Sequence, residues 1–344
     1  MPKASVVMTV YNGEEFLEQA IESILSQTFE DFEFIIIIEH GSNEKSQEII
    51  ARYAQKDKRI SLLHNDSKLG IAASLNRGMR AAKGEYIARM DGDDISLTTR
   101  LEKQIKFMDE NPGIAICATG VTCIDGKGAK VNIIDKCADD PEQIKSDLIF
   151  YCFIRHPTVM FRKSIVSERG LFYDEGYLAT EDYELWCRAA HVAVVARMPE
   201  ILLLYRWHKF NATRVFLSEG IRNYLKIMRA NFDRLEFYPS EEELMILCTE
   251  TSVETLRNHR TVKRTLEEAC ELITSNNRRL GIYDEESLKR TLDRRMYLKK
   301  HKVRRLVTIS IRSLAVLLNS DVLTKLSRYI EYNGFLGTLK RIFG

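Results

Sequence analysis

The stretch MDGDD, residues 90–94, sets Asp91, Asp93 and Asp94 within four positions of one another. Carboxylates that close repel unless something offsets them. A solvated turn with one aspartate capping the next helix would do so, and so would a bound cation. Their hard oxygens suit Mg2+ or Mn2+. A second acidic pair, Glu181–Asp182 in TEDYELWCR, stands just ahead of an apolar helical face carrying Leu185 and Trp186. Such a pair serves either as favourable charge at a helix N-terminus or as a proton acceptor. Glu39 closes the apolar run FEFIIIIE, and Tyr11 follows SVVMTV. A tyrosine there either packs against an edge or stacks on a nucleobase. In YRWHKFNATR, Arg206 can meet a phosphate and His208 can add a metal ligand, against the plainer reading of a surface histidine. His156, before Pro157, reads as a packed, hydrogen-bonded structural histidine.

Alternating elements must place these residues. SVVMTV, FEFIIIIE, ISLLHN and EYIARM read as strands, short and β-branched, and FEFIIIIE has hardly a polar position. Strands so apolar belong to a parallel sheet covered on both faces. Between them EEFLEQAIESILSQT, NEKSQEIIARYAQK and GIAASLNRGMRAAK carry apolar residues at helical spacing. The alternation predicts a doubly wound, mostly parallel α/β sheet, in which ligands bind beyond the carboxyl ends of the strands. MDGDD lies at such an end. Further on, a helix runs to Glu110, strands are expected at IAICATG, HPTVMF and ILLLYRWH, and a helix at about 182–191. Charged amphipathic helices follow, which divides the chain into residues 1–211 and a helical region 212–344.

Taken together, the motifs resemble the family 2 glycosyltransferases of the GT-A fold. The resemblance rests on Val10-Tyr11-Asn12, Glu39-His40-Gly41-Ser42, Asp91-Gly92-Asp93-Asp94, Glu181-Asp182 and Tyr205-Arg206-Trp207-His208, in that order. NDSKLGIAASLNRGMRAAKGEYIARMDGDD and HPTVMFRK are similar to the family as well, so that residues 4–210 are covered. The chain departs from it after the second strand, where Glu39 and His40 replace paired aspartates. Glu39 keeps a carboxylate but reaches one methylene further.

The resemblance implies inverting transfer of a sugar from a nucleotide sugar, UDP-linked, to a hydroxyl of a saccharide, a lipid-linked saccharide or a glycoprotein, in surface polysaccharide or glycan synthesis. It implies Asp93 as the direct Mn2+ or Mg2+ ligand and Asp91 at the ribose or a metal-bound water. Thr9, Tyr11, Asn12, Glu39, Asn76 and Arg206 would complete the nucleotide-sugar site. Asp182 would be the base and Glu181 would orient the acceptor.

Two other functions share some of these features. A nucleotidyltransferase needs a Gly-rich basic loop after the first strand, and YNGEEFLEQA is acidic instead. A non-catalytic nucleotide-sugar-binding protein would not need Asp91, Asp93 and Asp182 together. The net charge of +2 hides 14 Lys and Arg against three acidic residues from Lys289 onward. That tail suits a peripheral membrane contact or a homodimer seam; no nucleic-acid-binding module accompanies it. Seven scattered cysteines without a C-x-x-C pair, no signal-like start and no apolar run of about 18 residues point to the cytoplasm, with contact at the inner membrane face.

Overall fold

The computed structural model describes residues 1–131, 140–208, 211, 215–248 and 259–302. The chain divides into two compact units: Met1–Ile144 with Cys152–His208, and Lys145–Tyr151 with the described residues from 211 onward.

The first unit opens with β1 (Ala4–Val10), α1 (Leu17–Leu25), β2 (Phe32–Ile38), α2 (Glu44–Lys56), β3 (Ile60–His64), α3 (Ile71–Ala81) and β4 (Tyr86–Asp91). β1 pairs in parallel with β2 and β4, and β2 with β3. Burial explains why FEFIIII has no polar face. Phe34, Ile36, Ile35 and Ile37, which point to opposite faces, are all at most 2% exposed. Helices therefore cover both sides.

Beyond β4 the sheet becomes mixed. β5 (Ile95–Ser96), α4 (Arg100–Glu110), β6 (Ile114–Asp125), α5 (Pro141–Asp147), β7 (Met160–Arg162), α6 (Lys163–Arg169), α7 (Glu181–Val192) and β8 (Val194–Trp207) complete the order β3-β2-β1-β4-β7-β6-β8-β5. β7 runs antiparallel to β4 and β6, β5 antiparallel to β8, and β6 parallel to β8. The mostly parallel sheet of the sequence reading stands, with antiparallel strands inserted at one side.

Two elements differ from expectation. HPTVMF is not one strand: His156–Thr158 form a 3-10 turn with Pro157 in its first positions, and only Met160–Arg162 pair. Proline lacks the N–H a ladder needs and pre-sets a turn-like φ. β8 is longer than ILLLYRWH and carries Pro199. The β6–β8 register slips between Ala118 and Gly120, opposite Arg197 and Ile201, so Pro199 falls in an irregularity where no ladder donor is required.

The second unit is helical among its described residues. It comprises α8 (Leu217–Asp233), α9 (Glu241–Cys248), α10 (His259–Leu280) and α11 (Glu285–Lys302). Phe150, Phe232, Leu247, Ile273, Tyr283 and Leu288 form its core. Among the described residues no helix is long and apolar enough to cross a membrane. Of the basic tail from Lys289 onward, expected to meet a membrane or pair two chains, residues 289–302 belong to α11 and residues 303–344 lie outside the described residues.

Candidate active site

Strand register builds the site. Val10 lies opposite Ile38 and Thr9 opposite Asp91, so β1, β2 and β4 end together. Tyr11, Glu39 and the aspartates thereby share one edge. Thr9 is itself a paired strand residue, half-buried. Tyr11 is 51% exposed, with Lys68 Nζ 4.6 Å from its ring centroid. Asn12 takes a left-handed φ of 60°, which asparagine tolerates. Its Oδ1 accepts from the Asn43 N–H at 2.9 Å, tying the β1 loop to the start of α2.

Two residues expected at the nucleotide-sugar site, Glu39 and Asn76, are buried and hydrogen-bonded within the protein. Glu39 is buried, and its carboxylate accepts from the N–H groups of His40, Leu69 and Gly70, from Asn65 Nδ2 and from Ser74 Oγ, at 2.7–3.3 Å. Burial pushes its pKa up, but the Leu69 and Gly70 N–H groups outweigh that and leave it lowered. A carboxylate has about four lone-pair sites, and five donors surround this one. Asn76 is 2% exposed and bonds Tyr173 twice, Nδ2 to the carbonyl and Oδ1 from the N–H, both at 2.9 Å. It fixes the chain ahead of α7.

One oxygen from each of Asp91, Asp93 and Asp94 lies within 4.8 Å of the others. Asp91 forms an ion pair with Arg89. Arg89 stands two residues earlier on the same strand face, a pairing the sequence reading missed although the period of two shows it. Asp93 Oδ2 lies 2.8 Å from His208 Nε2, across 115 residues of chain. Asp94 Oδ1 accepts from the Arg206 N–H at 2.6 Å, while Oδ2 is buried without a hydrogen-bond partner. Burial and the charge of Asp93 raise the Asp94 pKa well above the carboxylate range, and burial raises Asp91.

Arg206, expected to meet a phosphate, is buried, 2% exposed. Its guanidinium donates to the Asp93 carbonyl at 2.8 Å and Gln19 Oε1 at 2.7 Å, and it sits 4.5 Å above the Phe16 ring. The residue clamps the aspartate loop onto β8.

Glu181 and Asp182 form the first turn of α7. Thr180 ahead of them gives no side-chain cap, and Ala179 holds a left-handed φ of 62°. For a residue with a Cβ that backbone is strained, as sites often are. Asp182 Oδ1 accepts from the Tyr183 N–H at 2.7 Å. Burial, then the charge of Asp182, pushes Glu181 up to about 8. Burial pushes Asp182 to about 6, held back by the Tyr183 N–H and by Arg89. Arg89 therefore offsets both acidic groups, the aspartates on β4 and the pair on α7.

The sequence of this first unit matches the family described as glycosyl transferase family 2 over residues 5–169. It is 41% identical over 212 residues to an uncharacterized glycosyltransferase of Methanocaldococcus jannaschii, covering 60% of this chain and 71% of that one. The chain belongs to glycosyl transferase family 2. This glycosyltransferase is also 32% identical to the O-antigen biosynthesis glycosyltransferase WbnJ of Escherichia coli, across 64% of its own length and 89% of the relative. Its fold is shared with S. aureus TarS 1–349 in complex with UDP-GlcNAc (TM-score 0.55, 14% identity, 88% and 92% of the two chains). It is shared too with the mannosyltransferase PcManGT of Pyrobaculum calidifontis in complex with GDP-Man and Mn2+ (TM-score 0.53, 12% identity, 96% and 85%). The glycosyltransferase thus has the GT-A architecture and helical C-terminal region that its motifs imply.

Proposed function

We propose that this glycosyltransferase transfers a sugar, with inversion, from a nucleoside diphosphate sugar to a saccharide hydroxyl in surface polysaccharide synthesis. The observation that carries the reading is the meeting of Asp93 and His208 at 2.8 Å beside Asp91, at the carboxyl edge where Tyr11 presents an open ring. The bound UDP-GlcNAc and GDP-Man of the two structural neighbours, and the O-antigen role of WbnJ, support it.

The donor set fits a divalent cation. Three carboxylates converge, His208 Nε2 lies 2.8 Å from Asp93 Oδ2, and the Asp94 Oδ2 is a buried acceptor without a partner. Asp93, with Asp91 and His208, would hold Mn2+ or Mg2+, which supplies Lewis-acid neutralisation of the leaving diphosphate. Tyr11 would stack on the nucleobase, with Thr9 and Asn12 lining the backbone beside it. Because Glu39 is saturated, the loop it holds, residues 65–70, takes over the edge of the base. Asp182 accepts the proton of the attacking hydroxyl, and Glu181 beside it orients that hydroxyl.

A thermal-shift screen of UDP-sugars against GDP-mannose, with and without Mn2+, tests the reading. A Mn2+-dependent rise in melting temperature with one donor class is expected. No shift with any nucleotide sugar would overturn it.

A further inference from the structure

Behind Glu181 lies a buried line of polar groups that the reading above leaves unused. His156 Nε2 is 2.7 Å from the Tyr173 hydroxyl, and His156 Nδ1 is 3.9 Å from Glu181 Oε1. The imidazole is held edgewise by aromatic rings, with centroids 5.1 Å from Tyr173 and 6.0 Å from Trp186. Tyr173 in turn is fixed through its backbone by both polar atoms of Asn76 on α3. His156, Tyr173, Glu181 and Asn76 are each at most 9% exposed. Four separate elements thus deliver one unbranched chain of contacts, Asn76–Tyr173–His156–Glu181, whose far end is the acid beside Asp182.

We infer that Tyr173 and His156 form a positioning relay that fixes the carboxyl group of Glu181 beside Asp182. The inference rests on the proposed role of the Glu181–Asp182 pair and names the residues that hold it.

Chemistry gives the relay a direction. A neutral imidazole has one N–H and one bare nitrogen, and neighbours select which is which. Once Glu181 is ionised, above about pH 8, its carboxylate on the Nδ1 side favours a proton on Nδ1. The bare Nε2 then accepts from the Tyr173 O–H, which has no ionised form at working pH because burial raises its pKa well above the phenol range. Burial and Arg89 also hold His156 well below the usual imidazole range, so the ring stays neutral and cannot be a mere counter-ion. The 3.9 Å gap is longer than a hydrogen bond. Such contacts are often long in the absence of substrate and tighten in the complex. The charged groups acting on Glu181 are Asp182 and Asp91, which raise its pKa, and Arg89, which lowers it.

The test is nuclear magnetic resonance on the whole chain and needs neither donor nor acceptor. Above about pH 8, where Glu181 is ionised, imidazole 15N shifts should show His156 as the Nδ1–H tautomer, the less favoured form of a free imidazole, and Tyr173→Phe should relax it toward a mixture. In the same spectra the 13C carboxyl of Glu181 reports its own titration. Removing a donor to the ionised form raises a carboxyl pKa, so His156→Phe should move the Glu181 midpoint up by about half a unit or more. Tyr173→Phe removes only one oxygen, and it serves as the reading if His156→Phe fails to fold. An Nε2–H tautomer in the unaltered chain above about pH 8, or a Glu181 midpoint unmoved by the folded variants, overturns the relay. Neither outcome bears on whether Asp182 is the base, which turnover of Asp182→Asn decides separately.

Discussion

The backbone N–H of Gly70 donates to Oε2 of Glu39 at 2.7 Å, joining the end of β2 to the N-terminus of α3. Gly70 reaches this position with φ 84°, a conformation that suits glycine. The additional methylene of Glu39, compared with the aspartate usual in the family, is what lets its second oxygen span to that loop.

The first prediction follows from that clamp. Glu39→Ala leaves the N–H groups of Leu69 and Gly70 and the side chains of Asn65 and Ser74 without their shared acceptor. Buried polar groups left unsatisfied cost about 1–3 kcal/mol each, and partial solvation of the loop holds the total near the size of a large single-site effect. Urea unfolding should show a loss of about 2–4 kcal/mol. Glu39→Asp should lose less, because the charge stays and only reach is lost. Equal stability of Glu39→Ala and the unaltered chain would contradict the clamp.

Asp93→Ala should abolish the Mn2+-dependent part of nucleotide binding while leaving the sheet intact, because Asp93 lies on the β4–β5 turn and not in the core. His208→Ala should weaken that part without removing it, since Asp91, Asp93 and Asp94 each keep an oxygen within 4.8 Å of the others. Isothermal titration with and without Mn2+ measures both. An unchanged Mn2+ increment in Asp93→Ala would place the cation elsewhere.

Asp182→Asn preserves shape but cannot accept a proton. Turnover should fall by about 10² or more, with donor affinity unchanged. Steady-state rates on the donor selected by thermal shift give the answer. Activity within a few-fold of the unaltered enzyme would move the base to Glu181.

Stability should also depend on pH through Glu181. Its pKa rises from 4.5 to about 8 on folding, so the folded chain holds a proton that the unfolded chain has released. Stability is therefore greatest below about 4.5 as far as this group is concerned, and is lost progressively as pH climbs through about 8. Glu181→Gln removes the ionisation, so its melting temperature should fall less between pH 5 and pH 8 than that of the unaltered chain. Parallel melting curves in the two would rule out a buried, proton-holding Glu181.

Local sequence determined the framework of the active unit. Short β-branched runs alternating with amphipathic helices specify a covered parallel sheet, because those periods bury apolar surface in only one architecture. The carboxyl edge of that sheet then locates Tyr11, Glu39 and Asp91 without further information, and the order of five motifs identifies the family. The partners of these residues were decided only by the tertiary structure. Arg206 and Asn76 are polar residues in a family motif, and nothing in their neighbourhood along the chain shows that both turn inward. Arg206 meets Asp93 and Gln19, and Asn76 meets Tyr173 at a separation of 97 residues. The charges of Asp91, Glu181 and Asp182 likewise come together through long-range packing around Arg89. Strand and helix periods are properties of adjacent residues, whereas hydrogen-bond saturation and desolvation depend on what the fold brings within a few ångströms, which chain spacing does not encode.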